Sequence, residues 1–195
     1  PYTTLFRSYK KIAKATKEHR TVSNLLERNF KQGTPGLVLL TDITYLPYGE
    51  NDMAYLSTIL DAATGEILTH HMSKRITMDI ATETILKLKK QKRVKLAANA
   101  FIHSDQGSHY TSPIFQALLK ENNLGQSMSR RGNCWDNAPQ KSFFGHLKDS
   151  VKSKKCNSYE KLKSKINKYI IYYNNYRYKW DQKKMTPVQY RNHLL

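Results

Sequence analysis

Cysteine is almost missing from this 195-residue sequence: Cys134 and Cys156 are the only two, and neither lies in a CxxC or Cys/His ligand spacing. A disulfide-stapled or zinc-ribbon scaffold is therefore not expected. Missing too is any apolar run near the roughly 20 residues needed to span a bilayer, or the apolar N-terminal stretch of a secretory signal. The expectation is a soluble intracellular protein with no membrane partner. Acidic residues are scarce, 15 Asp+Glu against 33 Lys+Arg, which leaves a formal charge of +18. Apolar residues are not scarce: 39% of the chain is hydrophobic, with 13 Tyr, 6 Phe and 2 Trp. That is enough to build a core and excludes wholesale disorder. The length fits one domain with appendages.

The charge is unevenly spread. Residues 1–36 carry a net +6 and residues 141–195 a net +11, while 37–140 are nearly balanced. A neutral core between two basic segments points to a polyanion, because each phosphate neutralised by Lys or Arg releases a condensed counterion. A solvated lysine-rich surface, or a basic RNA-binding or ribosome-associated module, would carry the same charge.

The first eight residues, PYTTLFRS, fit nothing downstream and resemble a frame translation of a sequencing adapter. Residues 1–8 are therefore set apart, and on that reading the chain begins inside a longer gene. Residues 9–36 are basic linker chemistry ending in Gly33-Thr34-Pro35-Gly36, with Leu25, Leu26 and Phe30 able to dock on a core. From Leu37 the pattern turns to β-branched and aromatic runs. Leu37–Leu46, Met53–Leu60 and Glu66–Met72 read as three strands in meander order, separated by turn formers at Gly49 and Gly65. Met78–Lys92 has the stripe of an amphipathic helix, and Phe101–Ser104 is a short strand. Ser112-Pro113 starts a helix to about Asn122, with Ile114, Leu118 and Leu119 on its buried face. Gln126–Ser129 is a fifth strand, and Asp136 is placed to cap a helix running to about Asp149 with Phe143, Phe144 and Leu147 inward. The expected core, 37–150, is an α/β mixed sheet flanked by helices. Residues 151–195 read as a basic helical extension capped by Ser158. Its Tyr169–Tyr178 stretch offers rings for stacking on bases, although Tyr169 and Tyr173 fall in the apolar stripe and are expected in the core.

Two carboxylates stand out. Asp42 sits inside the first strand, where an ionised group costs desolvation unless it meets a cation, donors or a neighbouring turn. Asp105 closes the fourth strand just ahead of a Gln-Gly turn, where ligand-facing residues of such sheets lie. Together they could converge on a hard divalent cation, Mg²⁺ or Mn²⁺. His103 and His109 flank Asp105, but no further His or carboxylate at helical spacing completes a transition-metal set.

TDITY at 41–45, HSDQGSHYTS at 103–112, SMSRRGNCWDNAP at 127–139, SFFGHLK at 142–148, YIIYYNNYR at 169–177 and TPVQYR at 186–191 together resemble the catalytic half of insertion-sequence transposases related to retroviral integrase. The likeness is to the IS-three family and covers roughly residues 24–191. It implies a ribonuclease H-like fold and a DNA transposase that cleaves element ends and joins them to a target, through two metal ions held by an Asp, a second Asp and a Glu. The first two carry over to Asp42 and Asp105. The Glu follows the second Asp with 35 residues between, which from Asp105 falls on position 141, where this chain has Lys141. The flanking DNAP and SFF segments align without a gap, so a cation stands in the third acid's place. One unit charge against another at ~4 Å is worth roughly 4 kcal/mol at an effective dielectric of about 20. This copy is therefore expected to lack cleavage activity, with a non-catalytic DNA-binding remnant as the alternative. The resemblance further implies DNA contact by Arg130, Arg131, Asn133, Asn137 and Lys148, a homo-oligomer when active, and a place at the bacterial nucleoid in the cytoplasm.

Overall fold

In the computed structural model, which describes residues 21–130 and 134–195, five strands form one mixed sheet. The expectations for 1–8 and for residues 9–20 of the basic linker lie outside the described residues, as do those for Arg131 and Asn133. Strands β1 (Val38–Tyr48), β2 (Asp52–Asp61) and β3 (Ile67–Ser73) are antiparallel, while β4 (Phe101–Ser104) and β5 (Gly125–Met128) add in parallel, giving the order β3-β2-β1-β4-β5. Both hairpins turn where the chain needs a left-handed residue: Gly49 at φ +57° and Gly65 at φ +67°. At the second, Asp61 accepts from the backbone N–H of Ala63 and Thr64 and also from Gly36, 2.6 Å away. That buried carboxylate fastens the end of the N-terminal segment to the sheet.

The alternation of β1 builds two cores. Val38 and Leu40 face one side, with Phe143, Leu147, Leu162, Ile166 and Tyr173; Leu39 faces the other, with Ile59, Ile85, Ile102, Phe115 and Leu119. Helix α1 (Asp79–Lys90) covers the second face with Ile80, Ala81, Thr84, Ile85 and Leu88 buried, as its spacing predicts. After a single turn, α2 (Ser108–Thr111), helix α3 (Pro113–Glu121) joins it. Ser112 caps α3 by accepting from the Ile114 N–H, but the face expected to be buried is corrected: Ile114 is exposed, and Phe115 and Leu119 are inside. The first face is covered by α4 (Ala138–Val151) and α5 (Tyr159–Asn175), the latter capped at Ser158 as expected. Helix α5 is thus built into the main core. A last helix, α6 (Pro187–Leu194), starts with a reciprocal capping box between Thr186 and Gln189.

The expected capping role of Asp136 is also corrected. It lies in a 3-10 turn, Cys134–Asn137, and Asn137 precedes the first residue of α4. The Asp136 carboxylate is instead consumed by Arg130, Arg28 and Asn24, as described below.

Candidate active site

The parallel register between β1 and β4 runs Val38–Phe101, Leu39–Ile102, Leu40–His103. Asp105 follows the last residue of β4, and it lies near enough to Asp42 on β1 for its charge to act there. By alternation Asp42 shares a face with Leu40, the face on which α4 packs. The consequences are visible in its ionisation: burial, and then the charge of Asp105, push the Asp42 carboxyl up to about 6, against the pull of an N–H bond from Ile43 and of the Lys141 and Lys148 ammonium groups. Two carboxylates from neighbouring strands and two lysines, two turns apart on one helix, therefore share one electrostatic site. Asp105 is exposed, and its Oδ1 accepts from the Gly107 N–H at 2.8 Å. A Cβ on Gly107 would lie 2.9 Å from that oxygen, so a larger residue there would shift the Asp105 carboxylate.

Several buried polar groups hold α4 against these strands. Asn137 donates from Nδ2 to the Thr41 carbonyl at 3.0 Å and is 3% exposed. Its side chain is therefore inside, one residue from Asp42 in the strand, and not on the surface where a phosphate would meet it. Gln140 donates to the Thr58 hydroxyl on β2, whose carbonyl in turn accepts from Thr41 Oγ1. His103 braces the opposite side. Its Nε2 meets the Asp136 carbonyl at 2.9 Å, and since a carbonyl only accepts, Nε2 carries the proton and Nδ1 accepts from Ser127 Oγ. Burial holds this imidazole below its ordinary pKa, so it is a neutral brace with both nitrogens committed and no lone pair left for a metal.

Asp136 has a side chain with no exposed surface, and three neighbours satisfy it. Arg130 donates from Nη2 to Oδ1 and from its backbone N and Nε to Oδ2, at 3.0–3.1 Å; Arg28 Nε donates to Oδ1 at 2.7 Å; Asn24 Nδ2 reaches Oδ2 at 3.3 Å. Those bonds hold the Asp136 carboxyl well below the ordinary carboxylate range, first through Arg130. Arg28 was not singled out in the sequence, and no local pattern points to it, because its partner lies 108 residues away. Arg130 keeps 60% of its side chain exposed despite this pairing, and Lys141 and Lys148 are exposed. Of the expected DNA contacts, Arg130 and Lys148 thus stand on the surface, and Lys141 stands there beside them.

The donor set decides what the site can hold. Asp42 and Asp105 are hard oxygen ligands, but among the described residues no group of three His, Cys, Asp or Glu side chains is assembled for a metal. Lys141 adds an ammonium to this site and no further carboxylate. This set does not fit a pair of divalent ions.

Models of the integrase core domain match residues 33–134 and 141–195. An uncharacterized transposase-like protein of Haemophilus influenzae is 37% identical over 174 residues, covering 88% of this chain and 78% of that protein. In Escherichia coli, the putative transposase InsK of insertion element IS150 is 35% identical, over 89% of this chain and 60% of its own length. InsF of IS3A is 34% identical, over 87% and 58%. The chain thus spans about three fifths of the length of these two relatives. Among solved structures, an intasome of simian T-cell lymphotropic virus, in complex with a PP2A regulatory subunit, has a TM-score of 0.69 at 17% identity, over 89% of this chain and 59% of that one. The HTLV-2 integrase catalytic core in complex with magnesium has a TM-score of 0.60 at 18% identity, over 80% and 97%. The fold is that of an integrase catalytic core.

Proposed function

Because the chain belongs to the integrase-core family of insertion-sequence transposases, we propose that it is the catalytic core of a DNA transposase in which the acidic set is incomplete, so that it binds DNA and does not cut it. The observation that carries this reading is that Asp42, inside β1, feels the charges of Asp105, just past the end of β4, and of Lys141 and Lys148 on α4. In the intact arrangement, three carboxylates hold two divalent ions that activate a hydroxyl and stabilise the leaving oxygen at a phosphodiester. Here Lys141 contributes the opposite charge at the third position, and no step is derived through metal.

What the residues do instead is bind. Lys141, Lys148 and Arg130 are exposed cations around the strand ends, each able to neutralise a backbone phosphate, and the 141–195 segment adds a net charge of +11. Asn137, Gln140 and His103 act as positioning residues that fix α4 and Asp136 relative to Asp42. The partners of this reading are the element's DNA ends and a target duplex, with a second copy of the chain when two ends are paired. A basic RNA-binding module gives no reason for Asp42 and Asp105 to share one electrostatic site.

Nicking of supercoiled plasmid in Mn²⁺ tests it. The chain as given should leave the plasmid intact, Lys141→Glu should nick it, and Lys141→Glu/Asp42→Asn should not. Nicking by the unaltered chain that disappears with Asp42→Asn would mean another group replaces the third acid and would overturn the proposal.

A further inference from the structure

The tyrosine-rich run in α5 and the loop after it divides into two sets. Tyr169 and Tyr173 turn inward, Tyr173 against Phe143 with ring centroids 4.8 Å apart. Tyr172, Tyr176, Tyr178 and Trp180 do not: each is more than half exposed, and Trp180 reaches 83%. Four large rings left in water on one surface need a partner to explain them.

The loop that carries them is folded on itself. Lys179 and Met185 form an isolated bridge, Lys179 N–H bonding the Met185 carbonyl at 3.0 Å, and Lys183 and Lys184 take left-handed backbone angles to close it. Thr186 then caps α6. Cations sit among the rings. Lys184 Nζ lies 5.0 Å from the centroid of the Trp180 ring, and the Arg177 guanidinium 5.8 Å from that of Tyr173. Residues 176–186 hold Arg177, Lys179, Lys183 and Lys184 against the single acid Asp181. An open groove of about 540 Å³ is lined by Tyr172, Tyr176, Arg177, Tyr178, Trp180 and Lys184. A second, of about 600 Å³, shares Arg177, Tyr178 and Trp180 and continues to Pro139, Ser142 and His146 on α4. The two therefore form one path from the helix that carries Lys141 to the exposed rings.

We propose that this surface binds unpaired DNA, with bases stacking on Trp180, Tyr178 and Tyr176 and neighbouring phosphates meeting Arg177 and Lys184. The inference rests on the reading of the chain as a DNA-binding transposase core. Ring faces suit single strands because every base has a free π-face once unstacked, whereas in a duplex those faces are covered. The excess of positive charge complements a polyanion and opposes a second copy of the same surface.

The test is a titration of the full chain with a thymidine oligonucleotide and, separately, a short duplex, following tryptophan emission and binding anisotropy. The oligonucleotide should quench the wild-type signal, and the quenching should vanish in Trp180→Phe, which keeps Trp135 as its only tryptophan. Tyr178→Ala/Trp180→Ala should weaken single-strand binding about tenfold or more and leave duplex binding within about twofold. Both side chains are exposed, so an unchanged melting temperature is expected and verifies folding. Equal loss on both substrates, or binding without Trp180 quenching, would overturn the inference while leaving the DNA-binding core intact. Self-association that is lost in the double variant, with single-strand binding kept, would make the surface an interface between copies and also overturn it. Absence of binding to either DNA at low salt would defeat the transposase-core reading itself.

Discussion

Asp42→Asn should stabilise this protein above neutral pH and do nothing in acid. The carboxyl of Asp42 is raised from 3.8 to about 6 by burial and by Asp105, so between those values the folded state holds a proton that the unfolded chain has released. Where the folded state binds more protons, stability falls as pH rises. The loss begins near pH 4 and is complete above pH 6. At about 1.4 kcal/mol per unit the shift corresponds to roughly 3 kcal/mol, and to about 2 kcal/mol once water reaching the partly exposed carboxyl is allowed for. Asn keeps the shape and the acceptor for the Ile43 N–H but carries no charge. For a chain of this size about 2 kcal/mol is a rise in melting temperature of roughly 4–8 °C. Calorimetric melts in EDTA at about pH 8 and about pH 4 measure it, EDTA removing any cation that would mask the repulsion. No gain at the higher pH, or the same gain at both, would refute the claim that Asp42 and Asp105 repel each other in a desolvated site.

Three further substitutions address the ion pairs that hold the outer segments. Glu66 has no exposed side-chain surface and is gripped by Arg93 and by Arg191, both at 2.7 Å; Glu66→Ala should cost about 3 kcal/mol in urea unfolding, chiefly by leaving the largely buried Arg191 guanidinium without its partner, and Arg191→Ala less, since the half-exposed Arg93 still pairs Glu66. Asp136→Asn should cost about 2 kcal/mol at neutral pH. Because the Asp136 carboxyl is depressed in the folded state, its contribution is full above pH ~4 and fades as pH falls towards its low folded value, so the variant and the parent should converge in strong acid.

The sequence was most readable where structure follows short periods. The three-strand meander emerges because Leu39, Leu40, Leu56, Ile59 and Leu60 sit in runs broken by Gly49 and Gly65, and α5 because Leu162, Ile166, Tyr169, Ile170 and Tyr173 keep one stripe. It was misread where partners are distant. Asp136 looks like a helix cap from its neighbours, but Arg28 claims it from 108 residues away, and no local pattern encodes that. In α3 the expected stripe was out of phase. Phe115, not Ile114, fills the space beside Tyr110, at 5.3 Å between ring centroids, because the short helix is oriented by that contact. The candidate site divides in the same way. Asp42 and Asp105 were legible from their places on strands, whereas the inward turn of Asn137 depends on where α4 meets β1. The start of α6 carries a signal of its own inside the TPVQYR motif, a Thr three residues ahead of Gln with Pro at the first helical position.

The claim on which the account rests is that Lys141 occupies the third ligand position of a carboxylate site. Calorimetric titration of Mn²⁺ into the unaltered chain, Lys141→Glu and Lys141→Glu/Asp42→Asn tests that most directly, without requiring DNA. The account predicts that Lys141→Glu binds the ion at least about tenfold more tightly than the unaltered chain, since a repulsive charge becomes an attractive one, and that the added Asp42→Asn abolishes the gain. Binding by the unaltered chain as tight as by Lys141→Glu, and equally dependent on Asp42, would contradict it.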